Sequence, residues 1–280
     1  MKAIIQNEYG GVNKLTLKEV EQPIISKDQI LVKVYAANVS SGDMRLNTLD
    51  VPLLLIPVVK LIFGFKGPRN QTRGISGSGV VSEIGSNVKE YKIGDKIYFI
   101  NTIKAGCLAE YVVLNKNSVI SKIPDNFSFN ESAPLAFGAM SALHFINEST
   151  IQKGDQVLVY GASGSVGSYA IQLAKYYGAI VTAVCSEKNH KIMKKIGADY
   201  TIDYLKTDFT KGNKKYDFVF FWKPLNLFRP YLNNDISATF CYQKKNGQQK
   251  YKANRSRQKY CHIPCSCTSS LTEIPLNYWT

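Results

Sequence analysis

The sequence predicts an α/β fold in which a β-rich N-terminal domain precedes a doubly wound parallel sheet that stops short of completion. Three observations predict it. Short β-branched runs fill the first 120 residues, strand and helix patterns alternate from Gly154 to Phe221, and nothing beyond Phe221 continues the alternation. The expected boundaries are 1–125, 126–221 and 222–280, the last an irregular basic tail.

The N-terminal runs are Lys2–Ile5, Leu15–Val20, Ile30–Ala37, Val80–Ile84, Lys96–Ile100 and Ala109–Leu114. Gly10-Gly11, Gly85-Ser86-Asn87 and Gly94-Asp95 supply the turns that such strands need. The longest apolar stretch, Val51 to Phe65, contains Pro52, Pro57 and Lys60 and falls below the ~20 residues of a membrane helix. It reads as a buried or pocket-lining segment, with membrane contact as the minor alternative. Met1-Lys2-Ala3-Ile4-Ile5-Gln6 turns polar too soon for the core of a signal peptide, so a soluble cytoplasmic protein is expected. Ser128-Phe129-Asn130-Glu131 opens an apolar segment of helical length, Ala133 to Ile146, with Pro134 suited to a first turn.

In the second half, Val157–Tyr160 reads as a strand, Ser165–Tyr177 as a helix ending at Gly178, and Ile180–Val184 as a second strand. A helix at Asn189–Ile196, stopped by Gly197, and strands at Tyr200–Ile202 and Phe218–Phe221 complete the set. Such alternation implies a parallel sheet with right-handed crossovers. A doubly wound sheet of six strands would need two more.

Between the first strand and helix stands Gly161-Ala162-Ser163-Gly164-Ser165-Val166-Gly167. Small residues let backbone approach a diphosphate, and the free N–H groups and positive dipole of the helix start stabilise its charge. An ordinary glycine-rich turn is the alternative on spacing alone.

The net charge of +14 raises nucleic acid as a partner, but its distribution argues otherwise. Residues 221–280 hold nine Lys or Arg against Asp235 and Glu273, whereas the first 220 carry 26 against 19. Four of the six cysteines also fall in the last sixty residues. Two compositions meet near residue 221. Nucleic-acid binding through the tail ranks last among the readings, because its basic residues lack regularly interleaved aromatics. Cys261-His262-Ile263-Pro264-Cys265-Ser266-Cys267 fits no common zinc spacing, and no metal site is expected.

Gly154-Asp155-Gln156-Val157-Leu158-Val159-Tyr160, the glycine turn, and Ala170-Ile171-Gln172-Leu173-Ala174-Lys175 resemble the signature of quinone oxidoreductase and zeta-crystallin. Gly197-Ala198-Asp199, Ile202-Asp203-Tyr204, Met1-Lys2-Ala3, Gly42-Asp43, Gly94-Asp95 and Ala109-Glu110-Tyr111 extend the likeness over about 220 residues. The chain thus resembles the zinc-free branch of the medium-chain dehydrogenases/reductases. That resemblance implies a GroES-like catalytic domain, a Rossmann domain, homodimerisation through the sheet edge, and NADPH-dependent reduction of quinones, enones or related activated carbonyls.

The same resemblance assigns the candidate site. The second strand runs into Ser186, Glu187, Lys188 and Asn189, rather than ending on the acid that holds a ribose 2′-hydroxyl. Ser186, Lys188, Asn189 and Tyr204 are the candidates for a 2′-phosphate, hence NADPH. Glu187 dissents, by repelling the phosphate or by pointing into solvent, and Lys188 is otherwise a solvated helix-start lysine. Catalytic zinc ligands would stand at Ser40 and Ile75, and neither side chain binds the metal. The reaction left is hydride delivery to an acceptor already polarised.

Ser40, Asp43 and Arg45 either orient an acceptor oxygen or form a capped turn with a structural salt bridge. Ser76 replaces a carboxylate common in relatives, which weakens acid–base work there. Ser141 stands where relatives carry Thr near the nicotinamide amide, or else simply packs its helix. His144 reads as a packed histidine. After Asp217–Phe220 relatives continue with an Asp and a Gly, whereas this chain reads Phe221-Trp222-Lys223-Pro224-Leu225. A reading-frame switch or rearrangement is the simplest expectation, leaving the Rossmann-type domain truncated and its edge open. A new C-terminal module is the rival.

Overall fold

The computed structural model describes residues 1–102, 104–209, 214–221, 241–245 and 248–250. The chain divides into two compact units, Met1–Phe137 and a second beginning at Gly138.

In the first unit β1 (Lys2–Gln6) pairs antiparallel with β2 (Leu15–Glu19). Then come β3 (Gln29–Asn38), α1 (Ser41–Thr48), α2 (Ile56–Phe63), β4 (Ser76–Ile84), β5 (Lys96–Ile100), β6 (Tyr111–Asn115), β7 (Val119–Lys122) and the single turn α3 (Phe129–Ser132). The antiparallel sheet has the order β6-β3-β4-β5-β7. Strand alternation sends Ile30, Val32, Val81, Ile97, Phe99 and Leu114 into one core. Every strand expected from β-branched runs is present. β4 begins four residues earlier than its apolar run, at Ser76-Gly77-Ser78-Gly79. The pattern hides this start because glycine is needed there. A Cβ on Gly77 would come within 2.9 Å of the Ala36 carbonyl.

Two expectations are corrected in this region. Val51–Phe65 is not buried: it carries a short turn at Leu53–Leu55 and then α2, with its leucines largely on the surface. The helix expected at Ala133–Ile146 is interrupted. A π-helical turn at Leu135–Ala139 follows Pro134, and regular helix resumes as α4 (Met140–Ser149). Pro134 has no N–H to give the Asn130 carbonyl, so α3 ends before it, whereas the π-helical turn lies on its other side.

The second unit continues with β8 (Gln156–Tyr160), α5 (Ser165–Tyr176), β9 (Ile180–Val184), α6 (His190–Lys195), β10 (Tyr200–Ile202), β11 (Phe218–Phe221), β12 (Cys241–Lys245) and β13 (Gln248–Lys250). The sheet order is β10-β9-β8-β11-β12-β13. The first four strands are parallel, the 3-2-1-4 arrangement of a doubly wound half. Two aspartates hold it. Asp199 accepts from Lys175 Nζ at 2.9 Å and from Val181 N at 2.7 Å, tying α5 to β9. The Asp217 carboxylate accepts from Gln156 N at 2.8 Å, setting β11 beside β8.

The tail expectation also changes. The outer edge of β11 is not open: β12 pairs with it antiparallel, and β13 with β12. Backbone ladders need no apolar periodicity, so the polar pattern concealed these strands. Asn246-Gly247 joins them, a dipeptide favoured in two-residue hairpins, and was the available signal. Cys261–Cys267 and most of Gln243–Lys259 lie outside the described residues. Among the described residues no single helix is long and apolar enough to cross a membrane.

Candidate functional site: the start of helix α5

The turn after β8 is shaped for close approach. Gly161 has φ of 73°, a conformation costly for residues bearing a Cβ. A Cβ on Gly167 would run into the Gly161 carbonyl and stand 2.9 Å from Ala162 Cα. Glycine at 167 therefore lets α5 press onto the turn. Ala162, Val166 and Gly167 are buried, while Ser163, Gly164 and Ser165 face outward. The turn closes through Gly164 N to Gly161 O at 2.9 Å and Ala162 N to Val184 O at 3.2 Å.

Gly164 is the N-cap of α5, and no side chain caps the helix. Its first intrahelical bond runs from Ser168 N to Gly164 O, so the N–H groups of Ser165, Val166 and Gly167 precede the ladder. Twelve residues of helix stand behind them, and their dipoles add to the positive potential. This exposed set of unpaired N–H groups, on a turn that Gly167 keeps tight against the helix, fits a diphosphate. It sits at the carboxyl end of β8, next to β11, where strand order reverses. Gly138 was missed by sequence reasoning. A Cβ there would stand 2.5 Å from Ser165 Oγ and 2.8 Å from the Tyr169 ring, so glycine lets the preceding segment lie against α5. Burial raises the Tyr169 hydroxyl to about 12.

Beyond β9 the chain forms a turn at Glu187–Asn189, held by Asn189 Nδ2 donating to Ser186 Oγ at 3.2 Å. Glu187 does not stand alone. Lys206 Nζ lies 2.6 Å from its carboxylate, both side chains being exposed, and this partner holds the ammonium above its ordinary pKa. Lys206 is a second residue that sequence reasoning missed. It reaches this edge because β10 lies parallel beside β9, with Cys185 N bonded to Ile202 O at 3.0 Å. Lys188 is exposed, and Tyr204, 42% exposed, lies 6.4 Å from the ring of Tyr160. The structure thus brings Ser186, Lys188, Asn189, Tyr204 and Lys206 to the ends of two adjacent strands.

Ser40, Asp43 and Arg45 lie in the first unit, and Ser141 in the second. Ser40 caps α1. Its N and Oγ donate to Asp43 Oδ2 at 2.8 and 2.7 Å, and its Oγ accepts from Asp43 N. The other Asp43 oxygen accepts from Ile75 N at 3.0 Å, and the residue is buried. Its charge also acts on the buried Arg73, whose pKa is lowered by burial and partly restored by Asp43. Arg45 is half-buried further along α1. Ser76 Oγ is buried without a hydrogen-bond partner. Ser141 is half-buried on α4, where His144 makes an edge contact with Phe145 at 5.4 Å. Among the described residues no three His, Cys, Asp or Glu side chains cluster to hold a metal ion.

An antiparallel β unit joined to a 3-2-1-4 parallel sheet with a glycine-lined helix start defines a GroES-like plus Rossmann-like protein. Residues 26–125 match the alcohol dehydrogenase GroES-like domain. The chain is 34% identical over 235 residues to the chloroplastic NADPH-dependent alkenal/one oxidoreductase of Arabidopsis thaliana, a match covering 79% of this chain. It spans only 56% of that relative's length, little more than half. With a chloroplastic quinone-oxidoreductase of Triphysaria versicolor it shares 31% identity over 249 residues, covering 83% of this chain and 72% of the relative. The solved quinone oxidoreductase of Coxiella burnetii superposes with a TM-score of 0.70 at 32% identity, covering 79% of this chain and 68% of that one. The chain belongs to the medium-chain dehydrogenase/reductase family, and these relatives bear the names of quinone and alkenal oxidoreductases.

Proposed function

We propose that the chain is an NADPH-dependent oxidoreductase that delivers hydride to a quinone, enone or similar activated carbonyl without zinc. The uncapped, glycine-lined start of α5 at the strand-order reversal carries this reading. The names of the relatives support the substrate class. The turn from Gly161 to Gly167 holds the diphosphate through the N–H groups of Ser165, Val166 and Gly167, with the Ala162 and Val166 side chains packed beneath and Ser163, Gly164 and Ser165 at its outer face. Ser186, Lys188, Asn189 and Tyr204 receive the 2′-phosphate. Lys206 holds Glu187 away from it and adds positive charge. When bound, the nicotinamide supplies the hydride. Arg45 orients the acceptor oxygen, and Ser40, whose hydroxyl proton is given to Asp43, shapes the floor beside it. Asp43, committed to α1 and Ile75, positions Ser40 rather than exchanging protons. Ser141 would be the residue that holds the nicotinamide amide, and solvent or a hydroxyl would supply the proton that completes reduction. Steady-state oxidation of NADPH with a soluble quinone tests this. We expect saturable turnover, and a rate no faster than the uncatalysed one would contradict it.

A second reading is favoured by the chain from the last residue of β11 onward. There Phe221-Trp222-Lys223 replaces the Asp and Gly of relatives, and the next strand on the sheet, β12, runs antiparallel. On this reading the chain descends from such an enzyme and binds cofactor weakly or not at all. Translation of the coding DNA in its other two frames past codon 220 tests it. An Asp…Gly loop followed by alternating strands and helices is the expected find, and its absence from both frames would favour a new module. Any dimer formed through this sheet edge would use β13, whose residues Gln248, Gln249 and Lys250 are polar.

A further inference from the structure

Helix α2 is amphipathic in the wrong sense for a water-facing element. Val58, Leu61 and Ile62 share one face of α2 by helical spacing and that face is exposed, Leu61 being 60% accessible; Leu54 in the turn before the helix and Phe65 just after it are exposed as well, at 88% and 63%. The opposite side, with Ile56, Val59 and Lys60, is half-buried. Single exposed apolar residues need no explanation, but a contiguous patch of this kind marks a contact surface.

Charge indicates what the surface meets. From Val51 to Ser82 the chain has no acidic residue, while Lys60, Lys66 and Arg69 stand on or beside α2. Arg69 is tied to the end of the helix, its guanidinium donating to Leu61 O and its backbone N to Phe63 O at 2.8 and 2.6 Å. Lys66, just past Gly64, is exposed next to Phe65. A second copy of the chain would cover the apolar side chains but would bring no anionic surface to match Lys66 and Arg69, since Val51 to Ser82 lacks acids. Anionic headgroups above an acyl layer match both features. Eight residues are far too few to span a bilayer but enough to lie in its interface.

We propose that the exposed face of α2 docks on a lipid surface bearing anionic headgroups, its leucines and Phe65 entering the acyl boundary while Lys66 and Arg69 meet the phosphates. Docking would hold the proposed hydride-transfer site at the phase where apolar quinones concentrate. That consequence rests on the functional reading above, whereas the docking itself does not.

Sedimentation of the full chain with sucrose-loaded vesicles tests it, without cofactor or acceptor. Phosphatidylcholine alone is compared with phosphatidylcholine containing phosphatidylglycerol. We expect association with the anionic vesicles only, weakened about fivefold by Lys66→Gln. The triple variant Leu54→Gln, Leu61→Gln, Phe65→Gln should lose at least about tenfold, with its thermal melt showing that the fold persists. If the triple variant binds like the original chain, cations elsewhere, such as those of the C-terminal tail, drive association and the proposal fails. Equal binding to neutral vesicles, or none to either, also overturns it. So does a dimer in sedimentation velocity that the triple variant abolishes without any vesicle binding, which would assign the face to self-association.

Discussion

Helices α1 and α5 each follow a strand, and their starts are built in opposite ways. Helix α1 opens with Ser40 and Asp43, which satisfy each other and the first turn. The remaining Asp43 oxygen is used by Ile75 N. Helix α5 opens with a glycine that has no side chain to offer, between Gly161 in the turn before it and Gly167 in its first turn, which let the two pack closely. Orphan N–H groups at a helix start must be satisfied by something. Where the chain supplies the partner, the position is structural; where it withholds one, an external anion is the natural occupant. On the proposed reading, the contrast favours an anion at the start of α5 and gives Asp43 a supporting role in the first unit.

Breaking the closed start should have the largest effect. Asp43→Ala removes the cap and strands the buried Ile75 N–H, so we expect a loss of about 2–4 kcal/mol in stability. Urea unfolding measures it, while NADPH affinity at the folded plateau should be unchanged. A dinucleotide defect without destabilisation would reverse the two roles. Gly167→Val attacks the open start. Forcing a branched side chain against Gly161 and Ala162 should weaken NADPH binding by about 10- to 100-fold, read from quenching of protein fluorescence.

Tyr169 packs behind the same start, and its hydroxyl is raised from 10.0 to about 12 by burial. Between those values the unfolded chain loses the proton and the folded chain keeps it, so stability falls as pH rises. About 1 kcal/mol should be lost by about pH 11. Tyr169→Phe should flatten this part of the alkaline limb, and an unchanged slope would place the titration elsewhere. The smallest effect concerns the far edge. Lys206→Glu frees Glu187 and adds a negative charge, lowering the preference for NADPH over NADH by about three- to fivefold.

Much of this contrast is legible in the sequence, and the remainder is hidden for physical reasons. β-Branched runs and the glycine turn report local preferences, so the strands from Lys2 to Ile100 and those from Val157 to Phe221 stand near their expected places. Ser40 and Asp43 show as a candidate pair, yet their bond to Ile75 is a tertiary contact that no local pattern encodes. Lys206 becomes a neighbour of Glu187 only through strand pairing across 19 residues. Gly138 matters because of a helix that begins at Ser165, and its role could not be read from its own neighbours. α2 misleads most directly. Composition equates apolar with buried, and here the apolar face is the exposed one.

The central claim is that the open start of α5 holds the diphosphate of a 2′-phosphorylated dinucleotide. Fluorescence titration of the full chain with NADPH and NADH, repeated on Gly167→Val, tests it most directly. The account predicts saturable quenching, tighter with NADPH, and a clear loss of affinity in the variant. Equal affinities would contradict the NADPH assignment, and absent saturation, or a variant indistinguishable from the original chain, would contradict the site itself.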